Sequence, residues 1–169
     1  MSQVRKLALS ALLTALSTAL LYGASLLPAA QLAVIAAAGL LPAVAVIHCG
    51  LGWSAGVYAA SSILALLLLP DKLAALWYLL VFGHYGILKS LIERLKRPAV
   101  QWGLKLAVFA VVMGLMYLLF RSQFLAALPE YSVWILFAAL LVCFVLYDIA
   151  FSALISIYNR RIAPHINRP

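Results

Sequence analysis

Long apolar runs, separated by short polar or proline-bearing breaks, occupy nearly the whole chain. About 20 mostly apolar residues are needed for a helix to cross the roughly 30 Å hydrocarbon layer of a bilayer. Six runs meet or approach that length, at about residues 7–27, 31–48, 53–69, 73–95, 100–120 and 131–158. Pro28 ends the first, Pro70-Asp71 the third and Lys96-Arg97-Pro98 the fourth, while Pro42 lies inside the second. The pattern predicts an all-α protein, one integral membrane bundle of six transmembrane helices over residues 1–169. Runs two and three are short, rich in small residues and joined only by Cys49-Gly50-Leu51-Gly52, so a re-entrant pair is the alternative there.

Composition strengthens this reading. Hydrophobic residues make up 67% of the chain and charged residues 9%, against about 25% charged in an ordinary soluble domain. A water-soluble fold of this size leaves too much surface exposed to hide such a chain. The first run exceeds the 7–15 residues of a signal-peptide core, which favours a retained helix over a cleaved leader. Cys49 and Cys143 both lie in apolar runs and read as reduced core thiols, not as a disulfide or a metal site.

Charge gives the bundle a direction. With the N-terminus inside, the inner helix ends carry Arg5, Lys6, Arg94, Lys96, Arg97, Arg160, Arg161 and Arg168, and the outer loops only Lys72 and Arg121. Eight against two predicts both termini in the cytoplasm of a multi-pass protein in the cell (inner) membrane, with the net charge of +8 as a collar facing anionic headgroups. No basic stretch is long or aromatic-interleaved enough to track a nucleic-acid strand.

Ionisable side chains inside a membrane are costly and usually pair within the bundle. Tyr78, Phe82, Tyr85, Lys89 and Glu93 share one face of the fourth helix, and Lys89 and Glu93 stand one turn apart. Lys105 enters on the fifth helix, and Asp148, Ser152 and Ser156 form a stripe on the sixth. Lys89, Glu93, Lys105 and Asp148 are expected at similar depth in the inner half, as a buried polar network that is either structural or tied to a substrate or proton. Toward the outer half come Trp77, Tyr78, Tyr117, Tyr131 and Trp134, with His84 near mid-depth. They serve either as an aromatic belt or as the wall of a small-ligand pocket.

Catalysis finds no support. HExxH, GxSxG and P-loop motifs are absent, His48, His84 and His165 lack metal-ligand spacing, and the four acids form no evident cluster. The expectation is a protein that is not an enzyme, with no cofactor and no metal.

Ala11, Ala15, Ala19 and Gly23 recur every four residues along the first helix. Small residues at that spacing let another helix come close, either within the bundle or on a partner subunit. With its size, six spans, inward termini and basic start before this Ala-xxx-Ala helix, the chain resembles an S component, the substrate-capturing subunit of energy-coupling factor vitamin transporters. The runs Phe82-Gly83-His84-Tyr85-Gly86-Ile87-Leu88-Lys89 and Leu146-Tyr147-Asp148-Ile149-Ala150-Phe151-Ser152 look like segments of bacterial proteins of this type. The resemblance implies capture of a vitamin-like small molecule near the outer surface, with Trp77, Tyr78, His84, Tyr117, Tyr131 and Trp134 lining the pocket. It also implies docking through Ala11, Ala15 and Ala19 onto a transmembrane coupling subunit served by two ATPases. A non-transporting membrane scaffold is the alternative function, and a membrane enzyme the third.

Overall fold

The computed structural model of the chain describes residues 2–95, 97–127 and 130–161; side chains at 119–127, 130–134, 136, 159 and 161 fall outside the description. Among the described residues every regular element is helical. Six helical stretches are long and apolar enough to cross a membrane: Gln3–Leu26, Pro28–Cys49, Leu51–Leu68, Lys72–Ile92, Pro98–Leu118 and Phe137–Tyr158. Runs two and three, whose spanning the sequence left open, both reach that length. The chain forms two compact units, Met1–Gln101 and Trp102–Pro169.

In the first unit, helix α1 (Gln3–Leu26) starts at Ser2, whose hydroxyl accepts the Arg5 amide at 3.4 Å, the usual way of satisfying an orphan amide at a helix start. Its buried positions, Ser10, Leu13, Ser17, Leu21 and Ala24, advance by three and four residues along one stripe. Leu7, Leu12, Leu16 and Leu26 are exposed. Exposed leucines in such number suit contact with lipid tails and would be an aggregation hazard in water.

After a 3₁₀ turn at Pro28–Ala30 the chain returns as α2 (Gln31–Ala38) and α3 (Leu40–Cys49), nearly continuous but interrupted at Gly39. Gly50 then turns the chain with a φ of +95°, a conformation that glycine adopts without the Cβ penalty. Helix α4 (Leu51–Leu68) follows, burying Ser54, Val57, Ser61, Ser62 and Ala65. The last span of the unit is composite: α5 (Lys72–Trp77), a π-helical turn at Tyr78–Phe82, and α6 (Tyr85–Ile92). Helix α1 packs on α2, α3 and α4, and α3 packs on α4 and α6.

Polar contacts tie the two ends of this unit. At the Leu26 end, Asp71 caps α5 by accepting the Leu73 amide at 2.9 Å, and its other carboxylate oxygen accepts from the Gln31 amide at 2.5 Å. Lys72 Nζ donates to the carbonyls of Leu66 and Leu69 at 2.8 and 2.9 Å, meeting the negative end of α4. At the other end the Cys49 thiol lies 3.8 Å from the Lys6 carbonyl.

The second unit consists of α7, which starts at Pro98 in the first unit and runs to Ala127, and α8 (Glu130–Arg161). Phe109 meets Phe144 with ring centroids 4.7 Å apart, and Tyr117 meets Phe137 at 6.2 Å. Positions that rise along α7 pair with positions that fall along α8, so the two helices are antiparallel. Met113, Met116, Phe144 and Phe151 are buried. Cys143, read from sequence as a core thiol, is exposed, whereas Cys49 is buried. The buried stripe of α8 runs through Phe144, Asp148 and Phe151, and residue 143 lies about 100° around the helix from residue 144.

Candidate functional site

Both composite spans of the first unit break where they meet. The chain at Gly39, between α2 and α3, lies against the π turn: a Cβ built on Gly39 would fall 2.6 Å from the Phe82 carbonyl oxygen and 3.0 Å from its carbon. Only a residue without a side chain permits that backbone-to-backbone approach.

Each break frees backbone groups, and in lipid an unsatisfied carbonyl costs several kcal/mol. Neighbouring hydroxyls answer them. Pro42 has no N–H to give the Ala38 carbonyl, and that carbonyl accepts from Ser17 Oγ of α1 at 3.5 Å. Ser54 Oγ of α4 adds a bond to the Pro42 carbonyl, inside α3, at 2.5 Å. In the π turn the Gly83 amide donates to Tyr78 at 2.7 Å instead of to Leu79. The Leu79 carbonyl accepts from the Tyr58 hydroxyl at 2.8 Å, and His84 Nδ1 lies 3.4 Å from the same oxygen.

The result is a polar cluster inside an apolar unit. Tyr58 packs against Tyr78 (centroids 6.3 Å) and His84 (6.2 Å, edge-on). Tyr78 is fully buried among Leu21, Ala24, Ile35, Ala38, Ala65, Leu69, Ala74 and Ala75, and its hydroxyl shares a 2.8 Å hydrogen bond with Ser61. Gly83 makes room for both tyrosines, since a Cβ there would sit 2.9 Å from the Tyr58 ring and 3.0 Å from that of Tyr78. Trp77 and Phe82 are half-buried at the margin of this core.

The sequence-predicted pocket residues thus part company. Trp77, Tyr78 and His84 come together at the π turn, but Tyr78 is a core residue with no open face. Tyr117 stands in the second unit against Phe137. The side chains of Tyr131 and Trp134 lie outside the description. Sequence reasoning missed Tyr58, Gly39, Gly83 and the serines at 17, 54 and 61. Pro42 within an apolar run was one available signal; another was the spacing of Ser54, Tyr58, Ser61 and Ser62 along one face of α4.

Two ion pairs stand among the predicted charged residues. Lys89 Nζ of α6 lies 3.0 Å from Glu93, one turn on; the Lys89 side chain is buried and that of Glu93 is 44% exposed. In the second unit Lys105 Nζ donates to both carboxylate oxygens of Asp148, at 3.1 and 2.9 Å, with both side chains buried. The Trp102 ring centroid lies 5.4 Å from Lys105 Nζ. Ser152 and Ser156, expected to continue the Asp148 stripe, are exposed, and the Ser152 hydroxyl bonds the Asp148 carbonyl of its own helix at 2.9 Å. Four-residue steps drift around a helix of 3.6 residues per turn, so the stripe leaves the buried face.

Ala11, Ala15 and Ala19 are all exposed, beside and not within the packing stripe of α1. Among the described residues no group of three or more His, Cys, Asp or Glu side chains is placed to hold a metal ion. No family model matches the chain, and no curated protein and no solved structure matches it either.

Proposed function

We propose that this protein is a substrate-capturing membrane subunit that binds a small solute within its first unit and passes it inward with the help of energy-supplying partners, in the manner of the S components it resembles. The observation that carries the reading is the meeting of two interrupted helices at Gly39 and Phe82, beside the half-buried rings of Tyr58, Trp77 and His84. Membrane proteins tolerate broken helices where the irregular backbone is buried in protein or lines a cavity, and solute carriers build their binding sites from such breaks. On this reading Trp77, Tyr58 and His84 touch the solute and Tyr78 is the packed floor beneath it. The polar groups that converge here act by binding and not by covalent chemistry.

The charge asymmetry supports an orientation with both termini in the cytoplasm, in the cell membrane. In that orientation the Leu26 end of the first unit faces outward, as capture requires. The exposed alanines of α1 offer a smooth strip on which a coupling subunit can seat, and that subunit's ATPases supply the energy.

The test is native mass spectrometry of the purified protein, followed by binding assays across a panel of vitamin-sized molecules. A co-purifying molecule, lost in a folded Trp77→Ala or His84→Ala variant, is the expected result. No ligand by either method would sink the capture reading and leave the scaffold as the better description.

A further inference from the structure

The π turn differs from an ordinary α-helix in that its amides reach one residue further back, and at the Leu79 carbonyl the atoms for both arrangements are in place. In an uninterrupted α-helix the Gly83 amide would donate to the Leu79 carbonyl. Here it reaches one residue further back, to Tyr78, and the Tyr58 hydroxyl occupies Leu79 instead. The lost intrahelical bond is replaced by a side-chain bond from another span, so the Leu79 carbonyl has a donor in either arrangement. Gly83 permits both: its bare Cα accommodates the Tyr58 ring in the π form, and it keeps the amide that the α form needs.

We propose that Tyr78–Phe82 is a register switch, in which the Gly83 amide and the Tyr58 hydroxyl compete for the Leu79 carbonyl. When the amide wins, the π turn tightens to α-helix. Helix α6 then turns by about 100° and shifts by about 1.5 Å along its axis, the advance of one residue. Lys89, now buried beside the Tyr85 ring with its ammonium 6.0 Å from the centroid, swings to a new face. Short π segments occur often at functional sites, and a packed interface of this kind has discrete arrangements, not a continuum. The device stands whether or not the nearby rings bind a solute.

A trifluoromethyl tag on a cysteine at Leu91, an exposed position on α6, reads the switch by fluorine NMR of the full chain, with Cys49 and Cys143 replaced by alanine. The parent protein is expected to give one dominant resonance from the π form. Tyr58→Phe removes one oxygen and almost no volume, and should raise a second resonance at least ten-fold. Gly83→Ala pushes the Tyr58 ring away by a different route and should raise the same resonance. A folded Tyr58→Phe protein with the parent spectrum overturns the proposal. So does a Tyr58→Phe protein that fails to fold, because the switch requires the α form to be stable without that hydroxyl. If Gly83→Ala alone fails to fold, Tyr58→Phe decides.

Discussion

Lys105 Nζ sits within 3.1 Å of both carboxylate oxygens of Asp148, and neither side chain is exposed by more than 6%. The pair helps to set the register of α7 against α8, because this alignment places the buried ammonium against the buried carboxylate. Removing one member of a buried ion pair typically costs about 3–5 kcal/mol, whereas replacing both with apolar residues of similar size is often neutral. Asp148→Leu and Lys105→Met are therefore expected to melt well below the wild type in detergent, while the double variant recovers most of the loss. Wild-type melting in Asp148→Leu would show that the pair contributes nothing.

Ser17 and Pro42 should be coupled although they do not bond each other. Ser17→Ala leaves the Ala38 carbonyl short of a donor, at a cost of about 1–3 kcal/mol. Pro42→Ala supplies a backbone N–H for the same carbonyl. In a double-mutant cycle Ser17→Ala is expected to cost clearly less in the Pro42→Ala background. Equal costs in both backgrounds would mean that the serine does not answer the proline.

Two glycines make a sharper contrast. Gly39→Ala forces a methyl against the Phe82 carbonyl, a collision of backbone with side chain that nearby rotamers cannot relieve; overpacking of this kind costs about 1–3 kcal/mol. Gly56 has open space around its Cα and lies exposed in α4. Gly56→Ala is expected to be neutral or to stabilise by up to about 1 kcal/mol. Thermal denaturation of the two variants side by side measures the difference, and similar melting would remove the close approach at Gly39.

Ala15→Leu tests the exposed strip. Because Ala15 lies outside the packing stripe of α1, the variant is expected to fold and melt like the wild type while losing association with its partner in co-purification. A destabilised monomer would mean that the strip is internal.

The six spans were legible because lipid imposes a coarse rule: about 20 apolar residues in a row. Pro28, Pro70 and Pro98 marked their ends, and helices do stop or start beside each of them. The pairing of Lys89 with Glu93 was also visible, since one turn of helix joins them. The breaks were harder. Pro42 advertised one, but Gly39, where the span is interrupted, looked like any small residue in a small-residue run. Nothing in the spacing of residues 73–95 distinguishes a helix of 3.6 residues per turn from one with a single wider π turn, because the aromatic face of Tyr78, Phe82 and Tyr85 suits both. Tyr58 escaped notice because its role depends on a carbonyl freed in another span. Long-range partnerships of that kind have no signature along the chain, and the same limit left Tyr78 assigned to a pocket wall when it is core.

The Lys105–Asp148 pair also constrains how the protein is made. Forty-three residues separate the two, so a ribosome working at about 5–20 residues per second adds the acid some seconds after the base. During that interval α7 carries its ammonium without the Asp148 carboxylate, and α8 is still being synthesised. The two segments are therefore expected to leave the insertion channel together as a hairpin, not one after the other. A nascent chain stalled before residue 148 should keep α7 reachable by water-soluble labels, and release of the stall should bury it; protection before the acid emerges would show that α7 enters alone.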